Sequence, residues 1–213
     1  PLAFYHLGLT LSRLQRYADA VGAYRRAVEL DAEMPSAYYQ WANAEMRQGH
    51  REDGAALLDK FRSVKARKRV RQAVARARQG KAGRAAQLLE RALEMDRENS
   101  GALHVLALLA FAEGRAEDAA RYARQYVELR PGADDMQVIL GAALRRSGDA
   151  EGATEALSHA ADGEAAYPET WYELGEAHML MDSPAEAAAA FRAAINADPA
   201  FYQASHRLGV ALV

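Results

Sequence analysis

The sequence predicts an all-α fold, a solenoid of antiparallel helix pairs. Three observations carry this reading. Alanine is abundant while Gly and Pro are modest, and alanine gives up no side-chain entropy in a helix. Four turns read alike, "RQGH", "RQGK", "AEGR" and "RSGD", and their glycines (Gly49, Gly80, Gly114, Gly148) stand 31, 34 and 34 residues apart. One more step of 34 forward lands on Asp182 and one back lands on Gln15, both turn-compatible. The prolines Pro35, Pro131, Pro168 and Pro199 mark a second set of turns, where Pro stops one helix or opens the next. Two helices and two turns per period make a stack in which each pair buries its apolar face on its neighbours.

The units run near 1–34, 35–65, 66–99, 100–133, 134–167 and 168–201, with a first helix only at 202–213. The first unit sets Phe4, Leu7, Gly8 and Leu11 on one helix and Ala20, Tyr24 and Ala27 on the next. The second is weaker, with Trp41, Ala42, Gly54, Leu58 and Phe61. In the third, Val70, Ala73, Val74 and Ala77 have the spacing of a packed first helix. The fourth has Leu103, Leu106, Ala107, Ala110 and Ala119, and the fifth Leu140, Gly141, Leu144, Ala153, Leu157 and Ala160. The sixth has Trp171, Leu174, Gly175, His178, Ala187, Phe191 and Pro199. Its "SPAE" predicts a helix start: Ser183 as N-cap, Pro184 at N1, Glu186 closing a capping box. Small residues at Gly8, Ala42, Gly141 and Gly175 let two helices approach closely.

These residues resemble the tetratricopeptide repeat, the helix–turn–helix unit W-x2-L-G-x2-Y, A-x3-F, P with a period of about 34 residues. The resemblance covers essentially the whole chain. It implies a right-handed superhelix whose first helices line the inside. It also implies that the concave face binds a protein or peptide.

One stretch breaks the ruler. "FRSVKARKRVRQAVARARQGK", residues 61–81, carries nine Lys or Arg and no acid. Between Gly54 and Gly80 the usual second turn is missing, yet apolar residues continue at helical spacing. Either a kink near 63–66 separates two helices, or they fuse into one long helix near 62–68; the reading favours the kink. Arg67, Lys68, Arg71 and Arg78 leave the packed stripe, while one register puts Arg69 and Arg76 on the packed side. A solvated helix face is favoured over a partner-binding patch, and that over nucleic acid. No aromatic lies between Phe61 and Phe111, so a base-stacking platform is absent from this stretch.

Composition bounds the function. The chain has 213 residues, half of them hydrophobic and about a quarter charged, which is globular composition. A net charge of −2 makes any basic site local. The absence of cysteine excludes disulfides, thiolate metal sites and a Cys nucleophile but leaves the compartment open. No apolar run is long enough to span a membrane. No signal peptide is visible, and because the first residue is Pro1 rather than Met this leaves secretion open. No phosphate-binding glycine loop, G-x-S-x-G, H-E-x-x-H or EF-hand series is present. The expectation is no catalytic residue, no cofactor and no metal.

What remains is a groove. The resemblance places Tyr5, Tyr39, Asn43, Arg47, Arg71, Arg78, His104, Arg145, Tyr172, Glu176 and His206 at positions that face it. Tyr and Arg suit an interface because each joins a broad contact face to hydrogen bonding. The carboxylate clamp of chaperone adaptors in this family is not present as a set: Tyr5 and Leu9 stand at its first-repeat positions and Gln40 at its second-repeat Asn. The expected function is a non-catalytic scaffold for a protein or peptide partner, with an acidic segment favoured and nucleic acid and membrane insertion disfavoured. The alternatives are a regulatory or targeting array of a larger enzyme or export assembly, or self-association through the apolar C-terminal end.

Overall fold

The computed structural model describes residues 1–163 and 167–213. Among the described residues there are twelve α-helices and no strands. They are α1 (Leu2–Arg13), α2 (Tyr17–Leu30), α3 (Pro35–Arg47), α4 (Arg51–Arg78), α5 (Ala82–Leu93), α6 (Ser100–Ala112), α7 (Ala116–Leu129), α8 (Asp134–Ser147), α9 (Ala150–Ala161), α10 (Pro168–Leu180), α11 (Pro184–Ala197) and α12 (Tyr202–Ala211). This is the all-α solenoid class that the glycine ruler predicts. The chain divides into two compact units, Pro1–Ala102 and Leu103–Val213. The "AAYPET" turn begins at Ala165, and its first two residues lie outside the described residues.

The ruler has a backbone cause. Gly49, Gly80, Gly114 and Gly148 all adopt positive φ, between 72° and 91°. Gln15 and Asp182, the two positions reached by extending the step of 34, are the non-glycine residues with positive φ among the described residues, at 59° and 52°. Each turn needs one left-handed residue, where glycine meets no Cβ penalty and another L-residue costs roughly 1–2 kcal/mol.

In the first unit, α1 and α2 form a hairpin held by one close approach. A Cβ on Gly8 would stand 2.5–2.8 Å from ring atoms of Tyr24. That ring is fully buried, and its hydroxyl shares a 3.0 Å hydrogen bond with Ser12 Oγ. The second helix is anchored across the first by this pair, so the small–large match in the sequence is the packing itself.

The expected kink near 63–66 is corrected: α4 runs unbroken for 28 residues. With no Gly, Pro or Asn between Gly54 and Gly80, nothing stops the helix. Its packed face changes instead. In the N-terminal half Gly54 meets Met46 of α3, and Phe61 stacks at 5.4 Å on Tyr39 of α3. In the C-terminal half the buried residues are Ala66 and Ala73, and Arg69 reaches the Arg91 carbonyl of α5 at 3.3 Å. At 3.6 residues per turn, Gly54 and Phe61 point more than a right angle away from Ala66 and Ala73. One helix therefore closes one pair and opens the next.

In the second unit α8 packs on α9, α10 on α9 and α11, and α11 on α12. The approach seen at Gly8 recurs: a Cβ on Gly141 would lie 2.4 Å from Leu157, and one on Gly175 2.5 Å from Phe191. Phe191 is fully buried and lies in a cluster with Ala187, Ala194 and Ala204. Ser183 is the N-cap of α11 and Pro184 opens it, as expected, but the capping box does not form. Ser183 Oγ donates instead to the Met181 carbonyl at 3.4 Å. Asp149 does cap α9, its side chain accepting from Gly152 N at 3.0 Å.

Candidate functional site

The predicted groove residues divide sharply by what they touch. On α3, Tyr39, Asn43 and Arg47 follow at i, i+4 and i+8, so they form one stripe. Tyr39 is 44% exposed, Asn43 is half-buried and Arg47 is exposed. Arg47 has no ion pair among the described residues. The Tyr39 ring packs at a tilt against Phe61, over which Lys65 Nζ sits at 5.1 Å. Tyr5 does not extend this strip freely: it is half-buried and packs into the core around Tyr24 at 6.2 Å. Burial pushes the Tyr24 hydroxyl up, against the Ser12 hydrogen bond, with Tyr5 adding to the rise.

The basic stretch is largely engaged within the fold. Arg71 makes a close ion pair with Glu33 of the α2–α3 turn, and Arg67 lies 3.9 Å from the same carboxylate. The hydrogen bond from Arg71 holds Glu33 below the usual carboxylate range; partial burial opposes it, and the Arg71 and Arg67 charges add to it. Arg62 pairs with Asp59 at 3.0 Å. Arg69 sits on the packed side, donating to the Arg91 carbonyl and to Met95 Sδ. Arg76 is exposed and reaches Gln79 Oε1 at 3.4 Å. Lys68 and Arg78 are exposed and have no ion pair among the described residues.

In the second unit the predicted charges are paired. Arg145 of α8 donates to Glu173 of α10 at 2.6 Å, with 21% and 18% of the side chains exposed. Arg207 of α12 makes a close pair with Glu176 of α10. Tyr172 packs between Phe191 at 5.8 Å and Phe201 at 5.5 Å. Burial raises its hydroxyl pKa, and Glu176 adds to the rise. His104 stacks on Tyr126 at 5.5 Å, and His206 is exposed. Glu173, Arg207 and Glu33, which complete these pairs, are not among the predicted groove residues. The first two were legible: each lies close to one repeat from an opposite charge, 28 and 31 residues away.

No described helix is long and apolar enough to cross a membrane. What the fold defines is a repeat solenoid that offers side chains from successive helix pairs, an architecture for holding other proteins. Family models described as tetratricopeptide repeat match residues 1–33, 70–134, 104–169 and 168–201. The chain belongs to the tetratricopeptide repeat family, a protein–protein interaction module. The matches leave out 34–69, which holds α3 and the part of α4 that runs through the expected turn, and 202–213, which holds α12.

Solved structures share the fold. The APC/C heterotetramer Cut9–Hcn1 aligns over 99% of this chain at 14% identity and a TM-score of 0.59; this chain spans 42% of that one. The pilF protein of Pseudomonas aeruginosa aligns over 96% of this chain and 94% of its own, at 16% identity and a TM-score of 0.56. YrrB, described as a TPR protein with an unusual peptide-binding site, aligns over 95% of this chain and 89% of its own, at 18% identity and a TM-score of 0.54. A search of curated proteins finds no match.

Proposed function

We propose that this chain is a non-catalytic scaffold that holds an acidic segment of a protein partner on the α3 face of its first unit. Tyr39 supplies the broad contact face, Asn43 an amide for the partner's backbone, and Arg47 a guanidinium for a carboxylate. Arg78, at the far end of α4 and about 25 Å along it from Phe61, would engage only a longer acidic segment. The observation that carries this reading is the contrast in pairing. Among the described residues Arg47 and Arg78 make no ion pair, whereas Arg71, Arg145 and Glu176 are each engaged. An unpaired guanidinium binds a carboxylate without first losing an internal pair.

The test is fluorescence anisotropy with a labelled Asp/Glu-rich peptide carrying one leucine, beside its Lys-substituted counterpart, at low and moderate salt. Tyr39→Ala and Arg47→Glu should each weaken binding of the acidic peptide at least tenfold with helicity unchanged. Equal binding of both peptides, or no loss in either variant, refutes the assignment.

A further inference from the structure

A buried carboxylate stands where the repeat motif has an aromatic. In the second repeat Glu45 follows Trp41 by one turn, at the Tyr position of W-x2-L-G-x2-Y. Only 10% of its side chain is exposed. A hydrophobic residue would fill that position at no electrostatic cost, whereas burying a charge is expensive unless partners compensate it. The partners are specific. Trp41 Nε1 donates to Oε1 at 2.9 Å. His50 Nδ1 lies 2.9 Å from Oε2. Burial alone would raise the Glu45 carboxyl; the hydrogen bonds from His50 and Trp41, with the His50 and Arg25 charges, more than reverse it.

The third member is Asp53. Ligand-capable atoms of Glu45, His50 and Asp53 all lie within 4.8 Å of one another. They come from three places: the last turn of α3, the residue that opens α4, and the first turn of α4. From these contacts we infer that Glu45, His50 and Asp53 form a binding site for a divalent transition metal ion, with Zn2+ as the best match. One imidazole and two carboxylates suit Zn2+, which takes nitrogen and oxygen ligands at about 2.0–2.2 Å. Tetrahedral ligands at that distance stand roughly 3.4 Å apart, so the exposed Asp53 turns inward and the exposed His50 draws back slightly from its 2.9 Å contact, while Glu45 stays fixed. The metal takes Glu45 Oε2 and His50 Nδ1 in place of their mutual contact. The Trp41 indole keeps its bond to Oε1 and orients the carboxylate from the outer sphere, as in established metal sites.

Three protein ligands leave at least one position to water, so the site is open and exchangeable rather than structural. The positive end of the α4 dipole and the Arg25 guanidinium work against the cation. The two carboxylates offset them. The sequence motifs searched for metal did not reveal this set, because Glu-x4-His-x2-Asp spans a turn and its closeness depends on how α3 meets α4. The inference does not rest on the proposed peptide face.

The experiment is a Zn2+ titration of the full chain by 1H–15N NMR, reading the two indole N–H signals. Trp41 reports the site, and Trp171 on α10 is the internal reference. Zn2+ should shift the Trp41 indole signal to saturation at one equivalent while Trp171 stays fixed. His50→Ala and Asp53→Asn should each weaken that response at least tenfold, with far-UV circular dichroism unchanged. A Zn2+ response that leaves Trp41 unmoved, or that survives His50→Ala, overturns the site and leaves adventitious surface binding only. No saturation below millimolar Zn2+ overturns it as well, and an equal response to Mg2+ overturns the transition-metal assignment.

Discussion

Replacing Arg62 with proline tests whether α4 is one helix. Arg62 lies in the middle of the 28-residue helix, and its side chain is 56% exposed, pairing only with Asp59. The side chain therefore contributes little: an exposed i,i+3 pair is worth at most about 0.5 kcal/mol. The backbone effect is large. Proline removes the bond from residue 62 to the carbonyl four residues earlier and its ring collides with that carbonyl, at a cost of about 3 kcal/mol or more. Arg62→Ala is the control, because it removes the ion pair and keeps the helix. Hydrogen exchange over residues 55–70 gives the local readout, which matters because repeat arrays need not unfold in one step. A loss of about 3 kcal/mol raises exchange on the order of 100-fold, against a few-fold at most for Arg62→Ala. If the two variants protect these amides alike, residue 62 lies at a helix end and the continuous helix is wrong.

Further outcomes follow from single contacts. Gln15→Gly should stabilise the first hairpin by about 1 kcal/mol, since Gln15 holds a left-handed φ of 59°; a thermal melt that falls instead refutes the strain argument. Gly175→Ala should cost about 1–3 kcal/mol, because its Cβ meets the Phe191 ring at 2.5 Å, and Phe191→Leu in the same chain should recover part of that loss by urea denaturation. Arg145→Ala should destabilise the second unit by about 1–2 kcal/mol by leaving Glu173 half-buried and unpaired; a double-mutant cycle with Glu173→Gln that shows no coupling refutes this. Glu45 has a folded pKa below its ordinary 4.5, so its contribution is present above that value and disappears as pH falls through the lower, folded one. Glu45→Gln should flatten that limb of the stability–pH curve, and an unchanged slope places the acid sensitivity elsewhere.

The proposed peptide face and the Glu45–His50–Asp53 cluster were legible to different degrees. Tyr39, Asn43 and Arg47 were visible as a helical stripe once the repeat register was set. That Arg71, Arg145 and Glu176 would be engaged by Glu33, Glu173 and Arg207 was not, because pairing depends on which side chains of neighbouring helices come within reach. The Glu45–His50–Asp53 cluster was invisible, since its members join two helices across a turn.

The sequence by itself determined the helices, the period and the close contacts. A left-handed residue every repeat, a small residue opposite a large one and proline at the second turn are local requirements, written into the residues that meet them. Gln15 and Asp182 show how far that goes: the ruler located both left-handed turns without a glycine. Only the tertiary structure decided that α4 is continuous. Its local signals permitted either state, and the choice lies in how two faces more than a right angle apart each find a packing partner. The same holds for the charges. Nine cations within residues 61–81 read as a patch, but a guanidinium is free or bound according to the acid the fold brings beside it, and Glu33 comes from 38 residues away.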